Sequence, residues 1–346
     1  MRKLLIACCL TLLFVLPVNA TQFTAPTVPQ SGEQYMPEDT ESFAEGLWYI
    51  VKSAISKLQP ELAEAAKVCC SLLALGIVQS VLSNLSGKSR RIVNLCVNLA
   101  MSAILVSSAN SFIHLGIQTV EEISGYGKLL LPVMTAAMAA EGGVTTSVAL
   151  YSATAMINTL LSAALTGIVI PMIYVYIALS IAGGAIQNPF LENMSKFLKW
   201  SMTWGLKIVL YGFTGYISIT GVISGTTDAS AVKAAKLAIS GAVPVVGNIL
   251  SDASETILIS AGVMKNAAGI YGLLAVVAIL IGPFIRIGVQ YLMLKFTTAV
   301  NSIFADKHTM SMTQKFADVM GLLLGMTGTV SLLLLVSTVC FMKGIG

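Results

Sequence analysis

The chain has 346 residues, of which 56% are hydrophobic and only 10% are Asp, Glu, Lys or Arg, with a mean hydropathy of +0.84. A soluble domain carries about 25% charged residues, so this chain has too little polar surface to cover a particle in water, and lipid must solvate most of it. The net charge of +4 comes from 20 basic and 16 acidic residues scattered along the sequence, which leaves no footprint for nucleic acid. The six cysteines sit in apolar runs, where thiols act as small hydrophobes, and no structural disulfide is expected.

Arg2 and Lys3 precede the apolar run Leu4–Leu16, followed by Pro17, Val18, Asn19 and Ala20. This pattern predicts a cleaved signal peptide over residues 1–20 and an exported stub over 21–67. Thr21–Thr40 is polar and has no hydrophobic period, as an extended tail would be. Leu47, Ile50, Val51, Ile55 and Leu58 then recur at helical spacing, predicting an amphipathic helix that lies on the outer leaflet or docks on a partner. Pro60 suits a first helical position, with Glu61 and Glu64 in the first turn complementing the positive helix end.

Residues 68–346 read as a polytopic membrane domain, an all-α helical bundle of six to eight spans with amphipathic interfacial helices. Val68–Leu85 is uncharged and long enough to cross a hydrocarbon core. Lys88, Arg90 and Arg91 follow it and mark a cytoplasmic turn. Ile92–Val120 returns, with Glu121 and Glu122 opening the next loop outside. Leu129–Ile186 carries a single charge, Glu141, beside Gly142 and Gly143; it accommodates two helices, three short crossings, or a half-helix over Leu129–Ala140 with two further crossings, which is where a broken or re-entrant helix enters the reading. Ile208–Gly225, Ala267–Ile285 and Val319–Met342 are the later spans, and Gly282-Pro283 should kink the second of these. An odd number of crossings in Leu129–Ile186 moves Lys196, Lys199, Lys207, Arg286, Lys295, Lys307 and Lys315 to the side of Lys88, Arg90 and Arg91, so the positive-inside rule favours it. Lys196, Lys199, Thr203 and Lys207 form the polar stripe of an amphipathic helix, with Met194, Phe197, Leu198 and Met202 as its apolar side and Trp200 and Trp204 as interfacial anchors.

Chemistry-bearing clusters are sparse. His114 and His308 are the only histidines, so a metal site would lack ligands, and no cofactor is expected. Gly87-Lys88-Ser89 resembles the end of a phosphate loop, but Leu82 stands where the first glycine is required. His114 lies near Ser107, Ser108 and Ser111, a stretch that reads better as packing than as a hydrolase dyad. Glu141 is the most informative residue, because an acid within an apolar stretch costs several kcal/mol unless it meets water or a partner such as Lys128 or Arg286. Asp252 and Glu255 have the spacing of a capping pair, and Pro132-Val133 and Pro244-Val245 hint at an internal repeat.

The signal peptide, the exported stub, Leu131-Pro132-Val133, Val243-Pro244-Val245-Val246-Gly247, Ser251-Asp252-Ala253, Glu255-Thr256, Lys265-Asn266, Gly269 and Gly282-Pro283 together resemble the stage III sporulation protein AE family of endospore-forming bacteria, most densely over Leu129–Asp306. The resemblance implies a multi-pass, non-enzymatic subunit made in the mother cell and placed in the outer forespore membrane. There it would join the other subunits of its operon and a forespore partner in an oligomeric channel or secretion-like complex that sustains the forespore and permits late forespore transcription. Glu141, Gly142, Gly143, Pro244, Gly247, Asp252, Glu255, Lys265 and Pro283 are the candidate functional residues. A secondary transporter of a small solute is the alternative, since a broken helix, an isolated acid and a repeat also suit one.

Overall fold

A computed structural model of the chain describes residues 25–37, 42–82, 88–140, 144–186, 188–219, 267–303, 305 and 307–344. The regular elements among them are all helical. We number them α1 (Gln30–Glu33), α2 (Phe43–Ser56), α3 (Leu58–Leu82), α4 (Lys88–Ala140), α5 (Val144–Ala164), α6 (Ile170–Ile186), α7 (Pro189–Ile219), α8 (Ala267–Asn301) and α9 (Lys307–Gly344), with a π-helical turn, Leu165–Val169, joining α5 to α6. Among the described residues five helical stretches are long and apolar enough to cross a membrane: Leu58–Leu82, Ile92–Ala140, Ser147–Gly184, Gly269–Asn301 and Thr309–Met342. The signal peptide and the segment between Ile219 and Ala267 lie outside the described residues.

The last helix is the axis of the bundle. From Val319 to Met342 α9 is buried on all sides, and α9 as a whole packs against α4, α5, α6, α7 and α8, as expected of a helix stretch that is apolar all round. Beyond Thr309 its buried hydroxyls are satisfied within the helix: Thr313, Thr327, Thr329, Ser331, Ser337 and Thr338 each donate to the carbonyl four residues back, so they enter the core without a lone polar group.

The remaining helices run alternately along this axis. Gly269 of α8 lies against Met342, and Lys295 of α8 reaches Asp318, so α8 and α9 form an antiparallel hairpin. Gly116 and Gly127 of α4 face Leu323 and Leu334, which makes α4 parallel to α9. Asn158 and Tyr174 bond Ser124 and Asn110 of α4, so the α5–α6 rod runs back antiparallel to it. As a result, the end of α3, the start of α4, the ends of α6 and α8 and the start of α9 meet at one end of the bundle. There Asn98 donates to the Gly184 carbonyl (3.4 Å), and Thr309 donates to Gln79 (2.9 Å) and Asn98 (3.0 Å).

Several expectations change at this level. Glu121 and Glu122 do not open a loop: α4 runs through them for 53 residues, about 80 Å against a hydrocarbon core of about 30 Å, so part of it stands beyond the bilayer. Periodicity could not reveal this, because Glu122 is held by Gln118 one turn earlier and by Ser31 of α1, and a carboxylate satisfied in this way need not end a helix. Leu129–Ala140 is the end of α4 rather than a separate half-helix, and Ser147–Gly184 is one continuous rod, which gives that region a single return. In α7 the expected apolar side divides: Leu198 packs on the core and Met202 is buried, while Met194 and Phe197 face outward with Trp200 and Trp204. The inward face of α7 is centred on Ser195, Met202, Leu206 and Phe213, because α7 packs along α6 and α9.

The stub docks on its own chain. Phe43, Ile50 and Ala54 of α2 are buried, α1 and α2 pack on the N-terminal half of α8, and Gly46 abuts Leu274. Lys57, between α2 and α3, donates to the Gln34 carbonyl (3.2 Å) and lies 4.6 Å over the ring of Tyr35. A Cβ at Gly46 would come within 2.5 Å of Leu274 Cδ1, and Leu274 is fully buried. Gly46→Val should therefore cost about 1–3 kcal/mol of docking energy. We expect protease added to intact protoplasts to cleave ahead of Leu58 faster than in the wild type; equal rates would contradict this packing.

Candidate functional site

Midway along α8 the bundle opens into a cleft between α3, α4 and α8, with charged and polar groups set in a largely apolar wall. Its volume is about 760 Å³, and its charged and polar lining comprises Glu61 and Glu64 from α3, Ser107, Ser108, Ser111, His114 and Gln118 from α4, and Arg286 and Gln290 from α8. The helical period builds the α4 wall, since Ser107, Ser111, His114 and Gln118 recur every three or four residues and so share one face. Glu61 and Glu64, three apart, share a face of α3 in the same way.

Two cross-helix bonds set the geometry. Arg286 Nε donates to Glu61 Oε2 at 3.0 Å, with 46% and 24% of the two side chains exposed. Gln290, which is buried, donates through Nε2 to Ser108 Oγ at 3.3 Å. Water screens the ion pair at these exposures, so its stabilisation is modest, about 0–1 kcal/mol. Above it, burial pushes the Tyr35 phenol above its ordinary range, Glu61 adds to the shift, and Arg286 opposes it.

A second charged cluster sits at α9. Asp318 accepts from Lys199 of α7 (2.8 Å), from Gln314 (2.8 Å) and from the Tyr176 hydroxyl of α6 (3.4 Å), and Lys295 of α8 lies 4.0 Å away. One carboxylate thus ties four helices together. No group of three or more His, Cys, Asp or Glu able to hold a metal occurs among the described residues. Cys69 is used instead as an acceptor from the Thr297 hydroxyl (2.9 Å).

Of the residues singled out from the sequence, Pro283 falls within α8, three residues before Arg286. Glu141, Gly142, Gly143, Pro244, Gly247, Asp252, Glu255 and Lys265 lie outside the described residues. Arg286, considered as a partner for Glu141, is paired with Glu61. The serines and His114 do come together in one place, but with carboxylates and an arginine as neighbours. Asp318 was missed, although it carries the signal that made Glu141 stand out: it is an isolated acid close to a long apolar run.

The model of the family described as stage III sporulation protein AE matches residues 33–344, from the end of α1 to the end of α9. The chain belongs to the stage III sporulation protein AE family. The match extends well past both ends of Leu129–Asp306, so the stub helix, the cleft and Asp318 all fall within the family's fold. The chain is similar to the stage III sporulation protein AE of Bacillus subtilis (strain 168), with 22% identity over 252 residues covering 71% of this chain and 63% of that protein. No solved structure matches it.

Proposed function

We propose that this stage III sporulation protein AE family member is a membrane subunit of a channel or secretion-like complex joining mother cell and forespore, needed for forespore development and late forespore transcription. The observation that carries this reading is the family match over residues 33–344 on a chain whose described residues include five helices long and apolar enough to cross a membrane. The subunit sits in the outer forespore membrane with its mature N-terminus exported, and it works with the other proteins of its stage and a forespore partner rather than as an enzyme. The orientation is supported by the way the helices alternate. The first turn of α4 with Lys88, Arg90 and Arg91, the hairpin leading to Lys196 and Lys199, and the α8–α9 turn with Lys307 all fall toward one end, which the positive-inside rule places in the cytoplasm.

Ile303, in that α8–α9 turn, is 81% exposed. In a chain with Cys70 and Cys96 replaced, Ile303→Cys should react with a membrane-impermeant thiol reagent only after the cytoplasm is opened; labelling in intact mother-cell protoplasts would reverse the orientation.

The polar cleft beside Pro283 is the one observation that also suits a secondary transporter. Reconstitution separates the two readings. The purified chain alone should be inert or merely leaky in proteoliposomes, whereas concentrative solute uptake by the chain alone would establish the transporter. Glu141→Gln should impair sporulation while leaving membrane levels unchanged; wild-type sporulation would leave Glu141 as an interfacial loop residue.

A further inference from the structure

Arg286 commits only its Nε to Glu61, and its two terminal nitrogens have no partner among the described residues. One turn from Glu61, Glu64 lines the same cleft and likewise has no partner among the described residues. A free guanidinium fork and a free carboxylate therefore share one cleft, with the hydroxyls of Ser107, Ser108 and Ser111 opposite them on α4. Inside a membrane protein, unpaired charges of this kind are retained where they meet water and a ligand rather than lipid.

The charge arrangement selects among ligands. A simple anion would find the fork but also face Glu61 and Glu64. A simple cation would satisfy Glu64 and leave the fork empty. A molecule carrying both charges satisfies both, its carboxylate meeting the planar fork in a bidentate pair and its ammonium meeting Glu64. The volume of about 760 Å³ lies in the upper part of the usual range for small-molecule sites, about 300–1,000 Å³, and leaves room for side chains.

We propose that the cleft binds a zwitterion, a free α-amino acid or a short peptide, through its carboxylate on Arg286 and its ammonium on Glu64. This goes beyond the proposed function by giving the site a ligand, and it rests on the reading of the chain as a membrane subunit of a channel complex. Because binding is read on the purified chain and the sporulation role in cells, the two can fail separately.

The test is thermal unfolding and calorimetry of the full chain in nanodiscs. The probes are an equimolar mixture of the twenty amino acids and, separately, trialanine; the controls are the N-acetylated and amidated forms of each, which lack the ammonium or the carboxylate. The free forms of at least one probe should bind, the blocked forms should bind at least tenfold more weakly, and the free probe that binds identifies the source. Glu64→Gln removes no contact with the described residues, among which Glu64 is exposed and unpaired, and should weaken binding at least tenfold with the unfolding temperature of the empty protein unchanged. Arg286→Lys keeps a cation for Glu61 but loses the fork, and should do the same. Absence of binding by both free probes, equal binding of the blocked forms, or wild-type binding by Glu64→Gln would each overturn the proposal.

Discussion

Asp318→Asn should be among the most destabilising single substitutions in the bundle. The change leaves two ammonium groups, Lys199 and Lys295, and the Tyr176 hydroxyl around a site that has lost its charge. Removing one partner of a fully buried pair costs about 3–5 kcal/mol. Here the carboxylate is 12% exposed but the two lysines are 40% and 37% exposed, so part of their charge returns to water and about 2–3 kcal/mol is expected. The loss should appear as a lower unfolding temperature in detergent and as proteolysis within α7, which Lys199 ties to α9. Lys199→Met alone should cost less, about 1 kcal/mol or below, because Gln314, Tyr176 and Lys295 still serve Asp318. The double variant should be more stable than Asp318→Asn alone, since the stranded cation is gone. An Asp318→Asn protein as stable as the wild type would mean that the four helices are held by apolar packing alone.

The second large effect is expected at Thr309, at the end of the bundle where α3, α4 and α9 meet. Its hydroxyl serves Gln79 Oε1 and Asn98 Oδ1, and all three residues are buried. Thr309→Val keeps the shape and removes the donor, so both acceptors lose a bond together. Interhelical bonds in membranes average about 0.6 kcal/mol, which sets a lower figure near 1 kcal/mol for the two. The desolvation cost of stranded acceptors raises it to about 3 kcal/mol. Thr309→Ser, which retains the hydroxyl, should recover most of the difference. If valine and serine are equivalent in unfolding temperature, the polar layer contributes nothing to holding the start of α9.

The apolar spans were legible because a run such as Leu332–Val336 has no other solvent than lipid or a bundle core. Which helix would be enclosed was not. α3 and α9 both read as apolar spans, yet α9 is enclosed from Val319 to Met342 while most of α3 is not, and that depends on which neighbours surround each. The ends of α4 were misplaced for a physical reason: charge normally marks an interface, but Glu122 is satisfied by Gln118 and Ser31, so the helix passes through. The components of the cleft were visible singly, with Glu61 and Glu64 as helix-end charges, His114 and its serines as a polar patch, and Arg286 as a partner considered for Glu141. Their meeting was not, because it depends on α3 running parallel to α8, a pairing of residues 225 apart that no local period records. The amphipathic stub helix was read correctly in its inward residue Ile50, but its partner is this chain's own α8.

The measurement that tests the central claim most directly is an in-frame deletion in the native host with complementation by the intact gene, scoring engulfed forespores by microscopy and a late forespore transcription reporter. The account predicts that engulfment completes, that the forespores then collapse with the reporter silent, and that the intact gene restores both. Normal spores with an active reporter in the deletion strain would contradict it.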